Sequence, residues 1–215
     1  VNDVYLASLA GFYKFADNQA VYGSLRYFSL GNIEFTDNLG NTISKGSPRE
    51  FGIDVGYSRK LNAKNGVAIA LKYINSDLAN GFTQGSTTYK TGNSVAADLG
   101  WYHTGKAWSW GVVLQNLGAK IAYTNNADAK DFIPANLGFG ANYTKKYNDR
   151  NQISFGVEIN KLLVPTPPAE GDAAGLAEYR KKSVISGWFS SFGDAPDGFS
   201  EELKEFQLSL GAEYT

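Results

Sequence analysis

Apolar residues alternate with small or polar ones along most of this chain, in segments of about ten residues separated by turns. Ile153, Phe155, Val157 and Ile159 alternate with Ser154, Gly156, Glu158 and Asn160. Phe206, Leu208, Leu210, Ala212 and Tyr214 alternate with Gln207, Ser209, Gly211 and Glu213, and Leu137, Phe139, Ala141 and Tyr143 with Gly138, Gly140 and Asn142. A period of two puts one set on each face of a sheet. The pattern predicts nine strands, at about 3–15, 20–36, 49–60, 67–79, 93–103, 108–124, 135–144, 152–163 and 204–214. They are long for soluble strands, which average about 5–6 residues, and suit the about 9–11 of a tilted membrane-spanning strand.

Short connections at 16–19, 61–66, 104–107 and 145–151 alternate with longer ones at 37–48, 80–92, 125–134 and 164–203. Tight turns at one end and long loops at the other are the layout of an outer-membrane meander. The last long loop opens on the stiff Pro-rich run Val-Pro-Thr-Pro-Pro at 164–168. Beyond it a short amphipathic helix is predicted, carrying Leu176, Tyr179, Trp188, Phe189 and Phe192, with Arg180, Lys181 and Lys182 between them.

Composition helps decide what the apolar face meets. The 13 Tyr, 13 Phe and 4 Trp suit a pleated surface. The opposite face is crowded with glycine, at 52, 56, 100, 111, 138, 140, 156 and 211. A water-facing surface favours Lys, Glu and Thr; a concave interior favours small residues. Tyr13, Phe15, Tyr57, Tyr73, Trp101, Tyr102, Trp108, Trp110 and Tyr143 lie near strand ends, as interfacial girdles do. These features favour a membrane barrel over a soluble sheet. No apolar run reaches the 18 residues or more of a spanning helix. The chain starts at Val1 without Met or signal peptide, and reads as an interior piece of something longer, a single barrel domain over 1–215.

Candidate chemistry is sparse. A net charge of −1 implies no basic surface, so nucleic acid is not an expected partner. The absence of Cys excludes thiol chemistry within these residues. His103, the single histidine, stands beside a turn outside any nucleophile motif. Asn125, Asn126, Asp128 and Asp131 could hold Ca²⁺ but lack an EF-hand's Gly and Glu, and read as a polar loop. Arg26, Glu34, Asp54, Lys72, Asp98 and Glu158 are expected to point inward, as a lattice of ion pairs or a polar lumen. No enzyme activity, cofactor, metal or catalytic residue is predicted.

The stretches SLRYFSLGNIEFTD (24–37), ALKYINSDLA (70–79), YKTGNSVAADLGWYH (89–103), YTNNADAKDFIPANLGFG (123–140), NKLLVPTPP (160–168) and ELKEFQLSLGAEY (202–214) resemble the PorV (LptO) outer-membrane proteins of the Bacteroidota. The resemblance extends over nearly all the chain. It implies an all-β, antiparallel up-and-down barrel similar to the fatty-acid transporter FadL, with fourteen strands in the whole protein. It further implies a part in type IX secretion: accepting cargo from a SprA-like translocon, recognising its C-terminal signal domain and delivering it to a PorU-like sortase. Outer-membrane lipid and lipopolysaccharide are the implied surroundings, with the long loops extracellular. A FadL-like channel for hydrophobic small molecules is the alternative. Recognition is expected on the long loops, with Phe132, Ile133 and Pro134 in one and Trp188, Phe189 and Phe192 in another as the candidate contacts.

Overall fold

The computed structural model describes residues 4–79, 81–126 and 128–215. Nine long strands form one antiparallel sheet in which every neighbour in space is the neighbour in sequence. They are β1 (Tyr5–Ala16), β2 (Gln19–Ser29), β3 (Arg49–Lys60), β4 (Asn65–Asp77), β5 (Gly92–Thr104), β6 (Trp108–Gly118), β7 (Asn136–Asn148), β8 (Asn151–Leu162) and β9 (Phe206–Tyr214). The sheet is open between β1 and β9.

Register aligns the alternating patterns of adjacent strands. Val55 of β3 stands opposite Leu71 of β4, Leu71 opposite Ala97 of β5, and Phe139 of β7 opposite Ile159 of β8, which lies within the row that meets Leu208 of β9. One face is therefore apolar across the wall. The other carries Ser24, Asp54, Lys72 and Ala96 in one row and Gly66, Tyr102, Gly111, Gly140 and Glu158 in another. In a flat single sheet both faces would be equally wet. Here Val55 and Leu71 are exposed while Asp54 and Lys72, their chain neighbours, are buried. The wall is rolled around its polar face, as in a barrel whose outer surface meets lipid.

The outward row carries aromatic pairs at both ends. Phe15 stacks with Tyr57 at the turn end, with Trp101, Trp110 and Trp108 further round. Tyr5 stacks with Tyr27, and Phe51 tilts against Tyr73, at the loop end. Between them lie Ile53, Val55, Ile69 and Leu71, the apolar band that a bilayer core requires. Tyr102 departs from the girdle expectation: it pairs with Gly66 and Gly111 and faces inward.

Two predicted strands end early. The segment expected at 20–36 stops at Ser29, whose Oγ accepts the N–H of Gly31 at φ 69°, a left-handed turn open to glycine. Residues Ile33–Thr36 instead pair with Thr42–Gly46 in a separate loop hairpin. Glu34 consequently leaves the inward set: it is exposed and pairs with Lys45 at 2.7 Å. The segment expected at 108–124 ends at Gly118, where a Cβ would come within 2.3 Å of the Val95 carbonyl oxygen. Beyond it, Ile121–Ala122 pairs with Lys130–Asp131 in another loop hairpin. The helix expected in the last loop is two helices, α1 (Ala173–Lys181) and α2 (Val184–Ser190), followed by a short α3 (Phe199–Glu202). Asp172 and Ser183 cap the first two by accepting the N–H groups of Gly175 and Ser186. Of the predicted elements, residue 3 of the first strand, and Asn80 and Ala127 in the loops, lie outside the described residues.

Candidate functional site

The inner face carries an ion lattice at the height of the β6 bulge. Lys72 donates to Asp98 at 3.1 Å and to Asn116 Oδ1 at 2.6 Å, and lies 3.8 Å from Asp54. Asp54 also accepts from Ser24 at 2.7 Å and approaches Arg26 at 3.6 Å. Asn116 sits at φ 56°, where register slips between Leu114 and Leu117. Its N–H donates to Asp98 Oδ1 at 2.7 Å and its amide to the Pro134 carbonyl at 2.9 Å. Opposite charges in equal number, each close to a partner, suit a wall brace.

Toward the turn end the inner face becomes a trough of about 990 Å³ with Gly66, Gly100, Gly111, Gly138, Gly140 and Gly156 along its lining. A Cβ at Gly140 would meet only the Val157 carbonyl at 3.8 Å, and one at Gly211 would meet nothing within 4 Å. Gly66, Gly100, Gly140, Gly156 and Gly211 leave space, whereas a Cβ at Gly138 would come within 2.8 Å of Asn160 Oδ1 and one at Gly111 within 3.1 Å of the Trp101 carbonyl oxygen. Gly56 differs, because the Tyr22 ring lies directly over it.

At the loop end residues 119–123 and 131–135 fold inward. Ile121 and Ile133 pack on Ala96, with Ile74 and Tyr123 against them, and the Tyr123 hydroxyl donates to Ser76 at 3.0 Å. The helical insert, 163–205, is fastened beside it by two lysines. Lys120 donates to the carbonyls of Arg180 and Lys182 at 2.9 and 2.7 Å, at the C-terminal end of α1 where a cation complements the helix dipole. Its Nζ lies 3.9 Å from the Phe132 ring. Burial holds the Lys120 ammonium below the usual lysine pKa, and nearby Lys182 adds to this, against the opposing pull of Asp131. Lys161 is 1% exposed and meets Glu202 at 2.8 Å and Glu205, with the Phe192 and Phe206 rings over it.

The six residues expected to contact partners divide. Phe132 packs edge-on to Tyr179 and against Gly187, where any Cβ would strike the Phe132 ring; Ile133 is in the small core. These two hold the loops together. Pro134 is exposed and Trp188 half-buried, while Phe189 (76% exposed) and Phe192 project outward. In the polar loop, Asn126 Oδ1 accepts the Asp128 N–H and Asp131 pairs with Arg180, so both serve loop structure.

Sequence reasoning missed both clamping lysines and the first loop hairpin. That hairpin is built on Asp37, whose Oδ1 accepts the N–H groups of Leu39 and Asn41 while its Oδ2 takes the Asn41 amide. The Asn41 side chain and backbone hold the Asp37 carboxyl below the usual aspartate pKa. With Gly40 at φ 84°, the turn presents Leu39, 86% exposed, at its tip and Ile43 beside it. Phe35 of this hairpin stacks on Phe82 of the next loop at 5.0 Å, and Phe82 tilts against Tyr89. Lys161 had a legible signal: it continues the outward row Phe155, Val157, Ile159, where a charge is out of place in lipid.

Among known proteins, the family model described as type IX secretion system protein PorV matches residues 1–169. No curated protein matches the chain.

Proposed function

The chain belongs to the PorV family of type IX secretion system proteins, and on that premise we propose that it is a cargo shuttle rather than a catalyst. In this reading the barrel wall is a rigid mount in the outer membrane. The long loops face the cell exterior, bind the C-terminal signal domain of secreted cargo arriving from a SprA-like translocon, and bring it to a PorU-like sortase. The observation that carries the reading is the hairpin around Asp37: a turn pinned by its own carboxylate holds Leu39 and Ile43 out in water. Apolar side chains fixed in the exposed state lose little freedom on docking, and an apolar tip on a rigid support is a contact waiting for a partner. Pro134, exposed beside the ion lattice, is a second candidate contact in this reading.

A double substitution Leu39→Asp, Ile43→Asp in the full-length protein tests it. The barrel is expected to assemble normally while cargo co-purification falls at least tenfold and surface-anchored cargo declines with it. Unchanged co-purification and anchoring would overturn the assignment of this tip.

A second reading rests on the open glycine-lined trough, which fits a FadL-like channel for hydrophobic small molecules. It is supported if deletion of the protein abolishes uptake of such molecules while secretion is intact.

A further inference from the structure

The helical insert lies on the outside of the wall, and its apolar crest faces away from the protein. Lys161 sets the first point. It shares the outward row with Ile159 and Val157, and stands opposite Leu137 and Phe206 of that same face. Its near-complete burial is produced by Glu202, Glu205 and Phe192, all from the insert. The insert therefore covers lipid-facing wall at the loop end of β8 and β9.

The crest follows from helix geometry. Ile185 and Phe189 are four residues apart on α2 and project from one side, both exposed. Phe199 and Leu203 repeat that spacing through α3 and its continuation, and both are exposed as well. From Leu203 the chain runs directly into Phe206, Leu208 and Leu210, the outward row of β9, so the crest is continuous with the apolar band of the wall. The residues of α2, VISGWFS, carry no charge, while Arg180, Lys181 and Lys182 immediately precede them. A helix with Ile and Phe on its exposed side, no acidic residue, and cations at its margin suits an element lying in a membrane interface. The two carboxylates nearest the wall, Glu202 and Glu205, both turn toward Lys161 and away from the exposed crest.

We infer that the crest of α2 and α3 is a membrane-interface element, with Ile185, Phe189, Phe192, Phe199 and Leu203 placed among the headgroups and upper acyl chains of the leaflet at the loop end. The inference rests on the barrel wall and not on the shuttle reading, and it takes Phe189 and Phe192 out of the partner-binding surface. The insert becomes an outrigger that fixes the height of the loops above the bilayer.

Because these 215 residues contain no Cys, single cysteines serve as reporters. Phe189→Cys and, separately, Ile185→Cys are made in the full-length protein, with any cysteine elsewhere changed to Ser. Each is spin-labelled and reconstituted in phosphatidylethanolamine–phosphatidylglycerol vesicles, and collisions with oxygen and with a water-soluble nickel chelate are compared. Leu208→Cys supplies the lipid reference and Leu39→Cys the water reference, and heat-modifiable gel mobility verifies folding. Both crest labels are expected to favour oxygen, as Leu208→Cys does. Preference for nickel, as at Leu39→Cys, overturns the inference. So does shielding from both reagents, which would show the crest covered by protein. A failed shuttle reading would leave these collision rates untouched.

Discussion

A single ammonium at Lys161 meets two carboxylates beside two aromatic rings. Removing one member of a buried ion pair leaves the other charge without compensation and costs about 3–5 kcal/mol. Lys161→Ala is therefore expected to release the insert while the wall stays folded. Limited proteolysis at Lys181 and Lys182 should become much faster, with heat-modifiable mobility of the barrel unchanged. Continued protection of the insert would show that Lys120 and Phe132 suffice to hold it. The glycines divide on the same scale. Gly118→Ala drives a Cβ into the Val95 carbonyl and the Ala96 methyl, whereas Gly211→Ala enters open space. The first should lower the temperature at which the barrel loses its compact gel mobility, with a cost of about 1–3 kcal/mol. The second should lie within about 0.5 kcal/mol of the parent protein.

Among the elements, the wall strands and the helical character of the last loop were legible, and the loop hairpins were not. Strand register follows from a period-two pattern, and a one-residue slip would turn every side chain to the wrong face, so Val55, Leu71 and Phe139 report their positions unaided. Residues 33–36 continue the alternation of β2, and only the left-handed turn at Gly31 separates them from it. The last bond of the β2–β3 ladder is the Leu30 N–H to the Pro48 carbonyl, a tertiary contact that no local pattern announces. Phe132 and Ile133 read as a loop contact because they are apolar in a polar stretch; their actual partners, Gly187 and Ala96, are distant in sequence. For the hairpin tip, acid dependence follows from Asp37. Its folded pKa lies below the unfolded value of about 3.9. Its contribution is then complete above that value and disappears as pH falls through the folded pKa. The protection of the Leu39 and Asn41 amides, relative to their intrinsic exchange rates, should hold down to the ordinary aspartate range and fall only below it. Asp37→Ala should lack this protection at every pH. Equal exchange in both proteins at neutral pH would contradict this account of the turn.

At the scale of the whole molecule, the two ends of the wall have different work. The turn end is closed by tight loops and encloses the glycine-lined trough; the loop end carries nearly all the irregular structure, braced by the Lys72 lattice and the Ile121–Ile133 core. Membership in the PorV family places that asymmetry in type IX secretion, and the central claim is that cargo meets the protein at the loop end. Site-specific photo-crosslinking in the native outer membrane tests this most directly, with a crosslinking amino acid placed at Leu39, at Val55 on the lipid face, or at Gly211 in the trough. The account expects cargo adducts from position 39 and none from 55 or 211. Cargo captured at 211 but not at 39, or captured at no position while secretion proceeds, would contradict it.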